Sequence, residues 1–168
     1  MTNQSRLWSP WRMEYIRSPK EKGCIFCQKS DSKKDRDNLV LFRGNDALVL
    51  MNLYPYNNAH LLIAPYEHVD TTLALSLQVS NEMMYLTNES MRIIKMTMNA
   101  EGFNFGANIG AIGGAGIKDH IHFHVVPRWL GDTNFMPIIG HTKVMVEGLL
   151  ETYDELKPHF TMIKLIGD

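Results

Sequence analysis

The chain has 168 residues, a formal net charge of −1 at pH 7 and 45% hydrophobic residues. This length suffices for one hydrophobic core and is short for two, so a single globular domain is expected. The near-zero charge argues against binding of a nucleic acid polymer, because such proteins usually carry a strongly basic face. No run approaches the roughly 18 apolar residues of a membrane span, and the start lacks the apolar centre of a secretory signal. We therefore expect a cytoplasmic protein with no membrane partner.

The beginning of the chain predicts an arm followed by a cysteine pair. Residues 1–23 are aromatic and mildly basic without clear periodicity, which indicates an arm that packs on the body or on a partner subunit, and residues 24–168 would form the domain. The only two cysteines, Cys24 and Cys27, lie in "CIFC". In a reducing compartment this spacing favours metal ligation or redox chemistry over a structural disulfide. The polar run over 29–38 predicts a solvated loop.

The middle of the chain predicts three strands and one long helix. Short β-rich segments predict strands near 39–43, 47–51 and 60–64, with a turn between the first two at "GND", residues 44–46. From Ser80 to Ala100 apolar residues recur at spacings of three, four and seven, which predicts an amphipathic helix facing the sheet. The residues of its expected inner face are Met84, Met91, Ile94 and Met98.

The remaining segments complete an α+β pattern. "FNFGANIG" (103–110) and "HIHFHVVP" (120–127) predict two more strands, and the tail over 143–158 predicts a short C-terminal helix. Strands in a run, one long helix and then further strands indicate an α+β fold with an antiparallel sheet of about five strands.

Three of the 7 histidines alternate along the last predicted strand. Since successive strand side chains point to opposite faces, His120, His122 and His124 would share one face. Alternate residues lie roughly 6.5–7 Å apart, so His122 would have an imidazole on each side. Neighbouring imidazoles disfavour positive charge on one another, which keeps the middle one available as a neutral nucleophile or base.

A glycine-rich loop immediately precedes these histidines. "NIGAIGGAG", from Asn108 to Gly116, contains four glycines, which let backbone amides approach an anion such as phosphate. Such a loop alone is weak evidence for a binding site. Placed between two strands and leading into three aligned histidines, it predicts chemistry on a phosphate.

These motifs resemble those of the histidine triad family. "HIHFHVV" matches its signature of three histidines separated by apolar residues, and the similarity extends over roughly residues 24–137, from "CIFC" through "NLYPYNNAHLLIAPYEHV". "SPWRMEYI" and "RWLGDTNFMPII" look like the bacterial branch related to diadenosine tetraphosphate phosphorylases. The resemblance implies a homodimer with the family's fold. It also implies an enzyme, a nucleotidyl hydrolase or transferase acting at the α-phosphate of dinucleoside polyphosphates.

The resemblance also implies roles for individual residues. His122 would attack the α-phosphorus to give a covalent nucleotidyl-histidine, His124 would contact the phosphoryl oxygens, and His60 would support the imidazole network. Asn52 would bind ribose hydroxyls, and Trp129 would shape the leaving-group side. The phosphate would be held by Asn108 and by the amides near Gly114, Ala115 and Gly116.

A structural zinc site is a further implication of the resemblance. By similarity to several family members, Cys24, Cys27, His68 and His120 would form a closed tetrahedral site. Such a site would tie the N-terminal segment to the histidine strand. No organic cofactor is expected.

Two rival functions and one departure from the family pattern stay open at this point. In the first rival, two or three of His120, His122 and His124 bind a catalytic zinc, and in the second the chain is a nucleotide-binding module without turnover. Many family members carry a Gln or Ser where this chain has Gly116 and Ile117, which leaves the preferred substrate and rate undecided. Water or phosphate as acceptor, the nucleobase and the polyphosphate length are equally undecided.

Overall fold

The computed structural model describes residues 23–132 and 147–165. All but the last residue of the expected N-terminal arm therefore lies outside the described residues. The elements in chain order are α1 (Ile25–Asp31), β1 (Val40–Arg43), β2 (Ala47–Met51), β3 (Leu61–Pro65), a short 3-10 turn (Thr72–Ala74), α2 (Leu77–Met98), β4 (Gly102–Ala107), β5 (Phe123–Arg128) and α3 (Leu149–Phe160). Among these described helices, none is long and apolar enough to cross a bilayer.

The five strands form one antiparallel sheet in the order β1-β2-β3-β5-β4. The α+β prediction with about five strands is thus confirmed. The predicted turn between β1 and β2 is present, and the Gly44 amide donates to the Ala47 carbonyl at 2.8 Å. Sheet order places β4 beside β5 at one edge, so the glycine-rich loop and the histidine segment both connect these two neighbouring strands.

Helix α2 packs on one face of the sheet. It begins three residues earlier than predicted, because the Ser76 hydroxyl accepts a hydrogen bond from the Val79 amide and caps the helix. The predicted inward position of Met84 is wrong, since that side chain is 41% exposed while Met83 is fully buried. The buried residues of α2 are Val79, Met83, Leu86, Thr87, Ser90, Ile93 and Ile94.

The two faces of the sheet bury separate apolar clusters. On the α2 side, the main core takes alternate residues of β3 such as Leu61 and Ile63. A second cluster on the opposite face contains Leu62 and Phe26 of α1. His124 pairs with Leu62 in the β3–β5 register, and paired residues share a face, so His124 projects on the side of the second cluster.

Helix α1 was not predicted. The expected loop over 29–38 is therefore wrong for residues 29–31, which belong to this helix. The end of this helix is fastened by Arg43, whose guanidinium donates to the carbonyls of Lys29, Ser30 and Ser32 at 2.6–2.9 Å. Arg43 also pairs with Asp35 at 2.8 Å. A short helix without a strong apolar period is therefore held by its connections to the sheet.

Candidate active site and metal centre

The histidine segment only partly follows the expected strand geometry. Strand β5 begins at Phe123, so the predicted strand start at residue 120 is wrong. The reason lies in competing hydrogen bonds, because the Ile121 amide donates to the Val69 carbonyl at 2.6 Å and the β3 pairing begins at Phe123. The rings of His122 and His124 nevertheless lie side by side, with centroids 4.9 Å apart.

His122 is held as a neutral imidazole with a defined tautomer. Its Nδ1 lies 2.9 Å from the carbonyl oxygen of His120. Since a carbonyl only accepts, Nδ1 carries the proton and Nε2 carries the lone pair. Burial lowers the pKa of His122 from its ordinary value and outweighs the backbone hydrogen bond, which acts in the opposite direction. The side chain is thus a neutral imidazole with its lone pair on Nε2.

A second chain of hydrogen bonds fixes the tautomer of His124. The Tyr56 amide donates to Nδ1 of His60 at 3.1 Å, so His60 is neutral and protonated on Nε2. This Nε2 lies 2.9 Å from Nδ1 of His124 and donates to it. His124 therefore carries its own proton on Nε2. An N–H donor thus lies beside the neutral imidazole of His122.

The loop that precedes His60 supplies two further positioning groups. The Asn52 side-chain amide lies 3.2 Å from Nδ1 of His60, and its oxygen accepts from the Tyr54 amide at 3.0 Å. The Tyr56 ring packs on His60 with a centroid distance of 4.7 Å. Sequence analysis missed Tyr56, although its position four residues before His60 in an aromatic loop was a usable signal.

Backbone geometry adds to this positioning. Ala59 has a φ of +51°, in the left-handed region that non-glycine residues rarely adopt. It is buried directly beside His60, where the surrounding contacts hold the strained backbone. The direction of the His60 side chain is thus fixed from its own backbone as well as from the loop.

The glycine-rich loop lies at the end of β4 as an exposed turn. Gly110 and Gly114 have φ values of +73° and +84°, which explains the need for glycine at these positions. The Gly114 and Ala115 amides donate within the loop to the carbonyls of Ala111 and Gly110. Asn108 reaches across the turn, with its side-chain amide 3.5 Å from the Gly114 carbonyl. Phosphate binding by these two amides would therefore require the loop to exchange its internal bonds.

Trp129 is not brought to the histidine face. It packs against the main core on the α2 side, and its indole N–H donates to the Met98 carbonyl at 2.9 Å. Strand alternation accounts for this, because residue 129 has the parity of Val125, which is a main-core residue. In the described part of the chain, Trp129 contributes to packing.

The four predicted metal ligands converge in space. Cys24, Cys27, His68 and His120 each offer one ligand atom, and all of these atoms lie within 4.8 Å of one another. The Sγ of Cys24 lies 3.2 Å from Nδ1 of His120, and the Sγ of Cys27 lies 3.3 Å from Nδ1 of His68. Ligands about 2.0–2.3 Å from a tetrahedral zinc ion are roughly 3.3–3.8 Å apart. The cluster therefore has the size of a zinc site.

The protonation chemistry of the cluster also suits a cation. Nε2 of His120 lies 2.9 Å from the Pro65 carbonyl and donates to it, which leaves the Nδ1 lone pair facing the sulfurs. Burial, followed by the neighbouring Cys24, raises the pKa of Cys27. Two adjacent thiolates disfavour each other, and a divalent cation between them removes that penalty. These residues fit a bound metal ion.

The family model for the HIT domain matches residues 33–129. The chain belongs to the histidine triad family. Among curated proteins, an AP-4-A phosphorylase of Mycobacterium tuberculosis is 38% identical over 155 residues, which cover 88% of this chain and 80% of the relative. An uncharacterized HIT-like protein of Saccharolobus solfataricus is 29% identical over 114 residues, covering 67% of this chain and 79% of the relative.

Solved histidine triad structures share the fold. A Zn-bound histidine triad family protein from Mycobacterium smegmatis superimposes with a TM-score of 0.66 at 20% identity, covering 83% of this chain and 94% of that one. A diadenosine triphosphate hydrolase from Plasmodium falciparum gives a TM-score of 0.58 at 16% identity, covering 73% and 74% of the two chains. At these identities the likeness shows a common fold, which confirms the histidine triad fold for this chain.

Proposed function

We propose that this histidine triad protein transfers a nucleotidyl group from a dinucleoside polyphosphate, such as diadenosine tetraphosphate, through a covalent intermediate on His122. The observation that carries the proposal is the bond from Nδ1 of His122 to the His120 carbonyl, which leaves the Nε2 lone pair as nucleophile. The kinship with the AP-4-A phosphorylase of M. tuberculosis supports the choice of substrate.

In the first step, Nε2 of His122 attacks the α-phosphorus of the substrate. The new N–P bond forms as the bond between the α-phosphorus and its bridging oxygen breaks, and the released polyphosphate takes that oxygen with its electron pair. A phosphoramidate bond to imidazole is labile enough to be cleaved again. In the second step, an oxygen of water or inorganic phosphate attacks the same phosphorus, and the N–P bond breaks with its electron pair returning to Nε2 of His122. Any proton on the attacking oxygen is released to solvent, so neutral His122 is restored.

His124 is proposed to assist the leaving group. Its proton lies on Nε2, because His60 donates to its Nδ1. A positioned donor next to the bridging oxygen lowers the barrier by offsetting negative charge that develops on the departing polyphosphate. His60 thus acts on the reaction through His124, without contacting the substrate.

Substrate positioning is assigned to the surrounding loops. Asn52 would offer its amide to ribose hydroxyls in addition to contacting His60, and Asn108 with the loop 114–116 would bind phosphate oxygens. Trp129 would influence the leaving-group side only indirectly, because its indole is engaged with α2.

We further infer a structural zinc ion and a homodimer. Cys24, Cys27, His68 and His120 would hold the ion, whose role when bound is to cross-link α1 to the histidine segment. Homodimer formation through β4 is supported by the position of that strand at a sheet edge and by its exposed residues 104–106.

The geometry disfavours a catalytic zinc bound by all three triad histidines. Nδ1 of His120 faces the cysteines and its Nε2 faces the Pro65 carbonyl, so both ring nitrogens are engaged away from His122. Nδ1 of His122 is likewise engaged by a carbonyl. The three rings therefore do not share a coordination point. If chelation abolished all turnover while the protein stayed folded, a catalytic zinc bound by the triad histidines would be supported instead.

The proposal is tested by incubating the protein with diadenosine tetraphosphate and separating the products. ATP plus AMP, with oxygen from labelled water in AMP, means hydrolysis, whereas ATP plus ADP containing labelled phosphate means phosphorolysis. Either product pattern supports nucleotidyl transfer at the α-phosphorus, provided that His122→Ala abolishes product formation. Two molecules of ADP, or full turnover by His122→Ala, would contradict the proposal. Binding without any product would favour the non-catalytic module.

A further inference from the structure

Phe26 connects the metal-ligand cluster with the proposed nucleophile. It lies between Cys24 and Cys27 in the first turn of α1 and is fully buried. Its ring centroid is 4.8 Å from that of His122 and 5.0 Å from that of His120. One side chain thus contacts both a cluster residue and the imidazole that would attack phosphorus.

Phe26 restricts a motion of His122 that its hydrogen bond alone allows. The bond from Nδ1 to the His120 carbonyl fixes one end of the imidazole, but the ring can still turn about that contact. Turning would displace Nε2, the opposite nitrogen. Phe26 packs on the ring with an interplanar angle of 39°, and His124 packs against it with a centroid distance of 4.9 Å. These two contacts define the direction of the Nε2 lone pair.

The position of Phe26 depends in turn on how α1 is anchored. Seven residues are too few for a helix that is stable by itself in water. Arg43 fastens the end of α1 through the Lys29 and Ser32 carbonyls. At the start of the helix, Cys24 and Cys27 face His120 and His68. Because Phe26 lies in the first turn, its position is set by the cysteine cluster together with the apolar cluster that contains Leu62.

We infer that Phe26 is a positioning residue that couples occupancy of the Cys24–Cys27–His68–His120 cluster to the orientation of His122. The inference rests on the proposed function for the role of His122. Metal binding at the cluster holds the first turn of α1 against the sheet, and Phe26 then holds the imidazole ready for in-line attack. When the cluster is empty, α1 loosens at its start and the lone pair of Nε2 loses its fixed direction.

The kinetic test combines metal depletion with substitution of Phe26. The rate of nucleotidyl-protein formation from diadenosine tetraphosphate is measured in single turnover for wild type and Phe26→Leu, each with zinc loaded and with zinc removed. The matched control is Phe42→Leu, because Phe42 is a partly buried aromatic residue that packs on the main-core side. Loss of orientation should slow zinc-loaded Phe26→Leu and zinc-depleted wild type each by about 10- to 100-fold, with little change in KM. Zinc removal should then slow Phe26→Leu by less than about threefold further.

The coupling would be overturned by either of two kinetic results. One is zinc-loaded Phe26→Leu reacting within about twofold of wild type. The other is zinc removal slowing Phe26→Leu by the same factor as wild type, which would mean that the metal acts by another route. If Phe26→Leu does not fold or retain zinc, Phe26→Met, which keeps an unbranched apolar side chain of similar length, replaces it in the same scheme.

A spectroscopic readout separates this inference from the proposed function. The ring Cε1–Hε1 resonance of His122 is recorded without substrate, and its exchange broadening reports reorientation of the ring. Broadening is expected in Phe26→Leu and in zinc-depleted wild type, whereas zinc-loaded wild type and Phe42→Leu stay sharp. A uniformly sharp resonance would refute the coupling. Turnover by His122→Ala would instead refute the proposed function, and the broadening would still report on Phe26.

Discussion

Nε2 of His60 lies 2.9 Å from Nδ1 of His124, and this contact determines which nitrogen of His124 carries a proton. His60 can donate there because the Tyr56 backbone amide occupies its other ring nitrogen. The consequence is a donor on the Nε2 side of His124, beside the neutral imidazole of His122. Two tautomers of opposite sense therefore stand next to each other, one with a lone pair on Nε2 and one with a proton there.

Replacing His60 should selectively impair the hydrogen bond that His124 donates to the leaving group. His60→Phe keeps an aromatic ring against Tyr56 but removes the donor to His124, so kcat for diadenosine tetraphosphate should fall by about 10²- to 10⁴-fold. An adenylyl N-methylimidazolium, whose leaving group departs as a neutral amine and develops no negative charge, should lose much less. The two rates are compared for the same enzyme preparation. Equal losses on both substrates would show that His60 serves some other purpose.

The pH dependence should reflect the buried state of His122. Burial lowers its pKa, so the imidazole stays neutral and nucleophilic to lower pH than an exposed histidine. The internal phosphates of diadenosine tetraphosphate do not titrate near neutrality, so the acidic limb of kcat/KM reports the enzyme. We expect this limb below the ordinary histidine value of about 6.5. An acidic limb with an apparent pKa above that value would contradict the assignment of His122 as a buried, neutral nucleophile.

Metal removal should lower stability through the cysteine cluster. When the free zinc concentration is about a thousand times the Kd of the site, zinc binding stabilises the folded state by about 4 kcal/mol. For a domain of this size that loss corresponds to a fall in Tm of roughly 8–16 °C. Cys27→Ser should purify without zinc, and its Tm should lie below that of the zinc-loaded wild type by this amount. His159→Asn, a substitution outside the cluster, should retain the metal. Elemental analysis and thermal unfolding decide this, and a metal-free wild type purified without chelator would contradict it.

Arg43 should contribute more to stability than an exposed arginine. It donates to three carbonyls at the end of α1 and pairs with Asp35, and its side chain is 27% exposed. Arg43→Lys cannot reproduce this fork of donors, so the free energy of unfolding should fall by about 1.5–3 kcal/mol. Arg36→Lys, which alters an ion pair exposed by more than half, should cost less than about 1 kcal/mol. Urea unfolding of both variants tests the difference, and equal effects would contradict it.

The strands and the long helix could be predicted from the spacing of residues along the chain. The clustering of Cys24, Cys27, His68 and His120 could not, because these residues are up to 96 positions apart, and its prediction came from the family resemblance. The sequence did not reveal α1, since seven residues give too short a window for helical periodicity. It also predicted the wrong burial for Met84. Met83 and Met84 are equally apolar, and which of the two faces the sheet depends on how the whole helix is rotated about its axis.

The tautomers of the site could not be read from the sequence at all. The proton of His122 is placed by a main-chain carbonyl, and that of His60 by a main-chain amide, and every residue has both groups. The packing of Trp129 on the main-core side, by contrast, follows from strand alternation, because residue 129 has the same parity as Val125 of β5. Its contribution to the leaving-group side stays a prediction.

The central claim is a covalent bond between His122 and the α-phosphorus, and trapping that adduct tests it most directly. Wild-type protein is mixed with diadenosine tetraphosphate, quenched in alkali, where a phosphoramidate survives, and analysed by intact-mass and peptide mass spectrometry. The account predicts one adenylyl group per chain, located on His122 and absent from His122→Ala. An adduct on another residue, or turnover by His122→Ala at the wild-type rate, would contradict it.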